Sequence, residues 1–157
     1  MALENARLKA REVVDRGGEP GRVVLAADTV VAVDGQILDK PAGPREAAAS
    51  IARLAGREHL VHGGMVIAGP GDEWREATSV SAVTFRPLTP AEVDEYVASG
   101  EWEGRAGGYA IQLTGRSLVE SVDGEEANVI GLSVLALEAL VQGLVPGGGR
   151  SGDRYNP

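Results

Sequence analysis

Residues 22–41 read RVVLAADTVVAVDGQILDKP, and this stretch decides the fold class. Small and β-branched apolar residues flank a polar Asp28-Thr29 pair on both sides, the pattern of a buried strand or two over 22–33. Asp34-Gly35 is a hairpin signal, because both residue types tolerate the positive φ of a tight turn. The chain is therefore expected to return along Gln36-Ile37-Leu38, after which Pro41 and Pro44 punctuate it.

Upstream, Leu3, Ala6, Ala10 and the Val13-Val14 pair recur at helical spacing, which predicts a helix over 2–16. Downstream, the Ala-rich segment 45–54 reads as a helix with Ile51 and Leu54 inward, and 60–68 and 79–85 as strands around a turn at 69–72. Thr89-Pro90 opens a helix whose stripe is Val93, Tyr96 and Val97, with Glu92 near its start. After the loop EWEGRAGG, short strands are expected at 109–112 and 117–122, then one apolar helix over 128–142. Alternating helices and strands predict an α/β fold with a mixed central sheet flanked by helices. The organisation expected is one domain over 1–144 followed by a Gly-rich, flexible tail over 145–157.

The composition fits this reading. Of 157 residues, 43% are apolar, enough for a core, and 24% are charged. The net charge of −8 argues against a nonspecific nucleic-acid binder, which needs a basic face, yet leaves room for a small phosphorylated ligand. Without cysteine there is no thiolate catalysis, disulfide or Cys-ligated zinc. No apolar run has the length of a membrane span, and the charged N-terminal segment is no signal peptide, so a cytoplasmic protein is expected.

Three groups of residues bear on chemistry. Gly147, Gly149 and Gly152 formally spell a dinucleotide fingerprint, but the motif follows a helix and has none after it. His59 and His62 stand three apart in a strand, hence on opposite faces, and do not converge on a metal. Asp28 within an apolar run must be hydrogen-bonded or bind a ligand. The hairpin carries Lys40 back toward it, which suits a phosphate-plus-metal site and equally a structural salt bridge. In the run RAGGYAIQ (105–112), the glycines let the backbone approach a ligand, Tyr109 could stack a base, and Gln112 could read a base edge.

Taken together, ARLKA (6–10), LAADTVVAVDGQILDKP (25–41), DEYVASGEWEGRAGGYAIQ (94–112), LVESVDG (118–124) and NVIGL (128–132) resemble the Maf family of nucleoside triphosphate pyrophosphatases. The resemblance implies an inosine-triphosphatase-like architecture. It also implies hydrolysis between the α- and β-phosphates with a divalent metal, Mg or Mn, and, in the YAIQ branch, dTTP, UTP and modified pyrimidine nucleotides as substrates. Carried over by motif, Asp28 is the proton acceptor, Lys9 and Lys40 face phosphates, and Thr29 and Gln112 take part in substrate choice. The family commonly forms dimers, so a homodimer is expected, with neither nucleic acid nor membrane as partner.

Departures from the family pattern set further expectations. The family's first strand and SxSPRR loop, which precede the Lys-Ala helix, have no counterpart here, so an N-terminally truncated sheet with an exposed edge is expected. The family usually carries Thr where Gly63 stands, Gly where Leu113 stands, Pro where Ser133 stands, and a small-aromatic pair at Glu125-Glu126. The acidic pair is expected to repel triphosphate. The alternative reading is a degenerate, weakly active or inactive paralogue that binds nucleotides or regulates septum formation.

Overall fold

The computed structural model describes residues 1–17, 21–69 and 73–142. Residues 70–72 of the expected turn and the run 145–157, with its glycine fingerprint, lie outside them. The elements, in chain order, are α1 (Ala2–Asp15), β1 (Val24–Val33), β2 (Gln36–Leu38), α2 (Pro44–Leu54), β3 (Glu58–Ala68), β4 (Trp74–Phe85), α3 (Pro90–Ala98), β5 (Val119–Asp123), α4 (Glu126–Ile130) and α5 (Val134–Val141). The five strands form one sheet in the order β2-β1-β3-β4-β5, and each of these pairings is antiparallel.

The β1–β2 hairpin forms at the expected turn, where Asp34 (φ 51°) and Gly35 (φ 70°) both take positive φ. β2 pairs with β1 only from Val31↔Leu38 to Val33↔Gln36. The outer edge of β1 over 24–30 therefore has no strand beside it among the described residues, and side chains from both faces of the sheet can meet there.

One face of the sheet carries the larger core. Val31, Val61, Val83 and Phe85 pack there against Ile51 and Leu54 of α2 and Val93 and Tyr96 of α3. The helix α3 begins with a capping box, in which Thr89 Oγ1 accepts from the Glu92 backbone NH and Glu92 Oε2 accepts from the Thr89 NH at 2.7 Å. On the opposite face lies α1. Its buried line is Ala2, Ala6 and Ala10, while Val13 and Val14 are exposed, so the packing stripe is narrower than the periodicity implies. Small residues let α1 lie close on Ala26 and Val66.

Several boundaries depart from expectation, each because a distant partner outweighs local propensity. β4 begins at Trp74 rather than 79, since Trp74 packs under α1 and Arg7 holds Glu76 through a two-pronged ion pair (2.6 and 2.7 Å). Residues 109–112 are not a strand. They leave the short 3-10 turn Ala106–Gly108 with the Ala110 NH bonded to the Tyr96 hydroxyl, and then turn again. The second expected strand shortens to β5, because 3-10 geometry at Thr114–Leu118 takes its first residues.

The expected helix over 128–142 splits into α4 and α5 at Gly131 (φ 132°), where the NH groups of 131 and 132 bond back to the Ala127 carbonyl. Ser133 caps α5 by accepting from the Ala136 NH. Among the described residues no helix is long and apolar enough to cross a membrane.

Candidate active site

A cleft opens along the free edge of β1. Its walls come from α1, from β1 itself, from the segment after β2, from 104–112 and from the end of α4. All five residues singled out by sequence, Lys9, Asp28, Thr29, Lys40 and Gln112, line it. Thr29 and Asp28 point to opposite faces of β1, yet both line the same cavity. A second cavity shares Lys9, Asp28, Thr29, Lys40 and Ala106, and extends the cleft toward Leu8, Ile37 and Asp39.

The ammonium that meets Asp28 belongs to Lys9, with Nζ 2.5 Å from Oδ1 and 3.1 Å from the Ala27 carbonyl oxygen. Lys40 lines the same cleft without forming an ion pair among the described residues, so the ion pair left open by the sequence joins Asp28 to α1. The other carboxylate oxygen, Oδ2, accepts from Asn5 Nδ2 at 2.8 Å. Asp28 is thus gripped at both oxygens, with its side chain 14% exposed, whereas that of Lys9 is 53% exposed. Sequence reading missed Asn5; its signal was the four-residue step to Lys9, which places both on one helix face. It also left Arg105 unassigned, although Arg105 lines the cleft as its third cation.

The glycines of RAGG bring the backbone close to protein rather than to a ligand, and neither lines the cleft. Gly107 (φ 69°) and Gly108 (φ 78°) need the left-handed region, and a Cβ on either would come within 3.1 Å of Val31 or Pro41. That close packing seats the 104–112 wall against β1. Tyr109 does line the cleft, but at 6% exposure it offers little ring surface for stacking a base. It is buried edge-to-face against Phe85 and His59, and its hydroxyl lies 2.9 Å from His59 Nε2.

His59 is only 1% exposed, and burial pushes its imidazole down to about 4 from 6.5. Between those values the unfolded chain binds a proton that the folded one refuses, so stability falls as pH falls through the window. The expected loss is about 2 kcal/mol between pH 7 and pH 5. Denaturation midpoints at the two pH values should show this slope in the parent and lose most of it in His59→Phe; equal slopes would count against it.

The acidic pair expected to repel triphosphate is engaged elsewhere, and neither member lines the cleft. Glu125 accepts from Ser133 Oγ (2.5 Å), the Val134 NH (2.6 Å) and the Leu135 NH, and these bonds hold its carboxyl below the ordinary glutamate range. It therefore anchors the start of α5. Glu126 pairs with Arg116 at 2.8 Å. Two further departures are accommodated: Gly63 leaves space for Asn128, which bonds Ser79, Ser81 and the Val61 carbonyl and so moors α4 to the sheet, and Leu113 takes ordinary negative φ.

Asp28 is the one carboxylate in the first cavity, set against three cations, in a chain of net charge −8. Such a local excess of positive charge favours a polyanion. Both oxygens of Asp28 are already taken, and among the described residues no group of three His, Asp or Glu converges. These residues by themselves do not fit a resident divalent cation.

Comparison with known proteins gives the family of the chain. Residues 1–144 match the Maf family, described as Maf-like protein. The dTTP/UTP pyrophosphatase of Deinococcus radiodurans is 42% identical over 143 residues, 91% of this chain and 72% of that protein. The dTTP/UTP pyrophosphatase of Thermus thermophilus is 43% identical, covering 84% of this chain and 71% of its own. That of Paramagnetospirillum magneticum is 40% identical, covering 86% and 71% respectively. A match that runs through the whole described fold, with the five motif residues lining one cleft, places this chain in the Maf family.

Proposed function

We propose that this chain hydrolyses nucleoside triphosphates, dTTP and UTP foremost, to the monophosphate and pyrophosphate, from a single domain over 1–144. The observation that carries the reading is the cleft's composition: one gripped carboxylate, three cations and an amide side chain, Gln112, in one cavity. The names of the relatives supply the reaction and its substrates.

In this scheme Asp28 takes the proton of a water that attacks the α-phosphorus. The bond from that phosphorus to the bridging oxygen breaks, and pyrophosphate leaves with its charge countered by Lys9, Lys40 and Arg105. Lys9, the most exposed partner of Asp28, has the reach to turn toward phosphate. Thr29 and Gln112 supply a hydroxyl and an amide to a pyrimidine nucleotide, hydrogen-bonding groups that reject a base lacking the matching partner. A divalent cation, Mg or Mn, would arrive with the triphosphate, and no step here is assigned to it. A homodimer and a cytoplasmic location belong to the same proposal.

The test is product analysis with dTTP, UTP, dATP and GTP in the presence of Mg or Mn. Stoichiometric pyrophosphate and monophosphate, with the pyrimidine nucleotides turned over at least about tenfold faster, is the expected result. Orthophosphate as first product, or no turnover of any nucleotide, would overturn the reading.

A further inference from the structure

The hydrogen bond from Asn5 to Asp28 belongs to none of the motifs that carry the family resemblance, yet it occupies the oxygen of the cleft's carboxylate that Lys9 leaves over. Asn5 and Lys9 stand one turn apart on α1, beside the alanine line that presses the helix onto the sheet. Each donates to a different oxygen of Asp28, so the plane of the carboxylate is set by two points on one rigid element. The two donors differ in kind. The ammonium of Lys9 is a charge on a long, largely exposed stem. The amide of Asn5 is neutral and short, and can hold Oδ2 without adding charge at the site.

The geometry points to Asn5 as a positioning residue for Asp28: it keeps the carboxylate aimed into the cleft when Lys9 turns to the phosphates. This rests on the reading of Asp28 as the proton acceptor. Once Lys9 leaves, the carboxylate would otherwise be free to rotate, and misplacement of a reacting group by about 1 Å costs on the order of a hundredfold in rate. The charged side chains that share the cleft with Asp28 are Lys9 on α1, Asp39 and Lys40 after β2, and Arg105, and Met1 lines the second cavity beside them. Across the sheet β3 places Gly64 opposite it and β4 places Thr78 opposite Gly64, neither of them charged.

The experiment uses the full chain and two substitutions. Asn5→Leu keeps the approximate size of the side chain, favours the helix and removes the donor. It should lower kcat about 10- to 100-fold while KM changes less than about threefold, because the phosphate-facing cations stay in place. Asn5→Asp sets a second carboxylate against Asp28, and should move the acid limb of the kcat–pH profile upward by about one unit. A limb that stays in place would show that the side chain at position 5 does not face Asp28, while the fall in kcat at steady KM separates positioning from a purely structural role.

An active parent that depends on Asp28, with kcat and acid limb unchanged in both variants, overturns this inference and leaves the proposed function standing. A parent without turnover, or one indifferent to Asp28→Asn, overturns both. Thermal melts of the two variants alongside the parent show whether a lower kcat reflects loss of folded protein. A fall in kcat that tracks the unfolded fraction, with no movement of the acid limb, also counts against positioning.

Discussion

Pyrophosphate release from dTTP or UTP should drop about 10³-fold in Asp28→Asn, with the melting temperature within about 3 °C of the parent. The substitution takes away the proton acceptor and little else. Asparagine keeps the size of aspartate and still offers a carbonyl oxygen to Asn5 or Lys9, the two donors that hold Asp28 now. The ion pair of Asp28 is with a largely exposed lysine and contributes little to stability. Rate and stability should therefore separate cleanly. Turnover that survives within tenfold would show that another group takes the proton, and the assignment of Asp28 would be withdrawn. Initial rates at saturating nucleotide, beside thermal melts of the same samples, are sufficient to decide.

Gly64→Ala should lower the free energy of unfolding by about 3 kcal/mol. A Cβ built on Gly64 would stand 2.2 Å from the Leu3 nitrogen and 2.4 Å from Ala2 C and Leu3 Cα. These are backbone atoms of α1, so no side-chain rotation relieves the clash and the helix itself must lift. As it lifts, Ala6 and Ala10 separate from Ala26 and Val66. Lys9 and Asn5 are carried away from Asp28 at the same time, so turnover of the folded fraction should fall with stability. Gly69→Ala is the control, since the nearest atom to its Cβ would be at 3.6 Å, an ordinary contact, and it should change stability by less than about 0.5 kcal/mol. Equal urea midpoints for the parent and Gly64→Ala would refute the account of α1 as a helix seated through this one glycine.

Much of the site could be read from local patterns. The Asp34-Gly35 turn, the Thr89–Glu92 cap and the strand around Asp28 depend on neighbours within a few residues, and each formed where the pattern put it. Lys9, Lys40, Thr29 and Gln112 were named from motifs, and all line the cleft with Asp28. Tyr109 and Glu125 were misread for the same reason as each other. Type and position in sequence give a side chain its chemistry, but not the partner that claims it. His59 claims the Tyr109 hydroxyl from 50 positions away, and the start of α5 claims Glu125.

The strand-turn-strand pattern and the identity of the reactive groups were therefore written in short segments, where propensity, turn chemistry and motif spacing act over a few residues. The tertiary structure alone decided which of two lysines grips Asp28, that Asn5 holds its other oxygen across 23 positions, and that Asn128 reaches the Val61 carbonyl across 67 to moor the wall of the cleft. Those pairings are selected by burial and by the need of each buried polar group for a partner, a condition satisfied over the whole packed chain at once and so not visible in any one stretch of it.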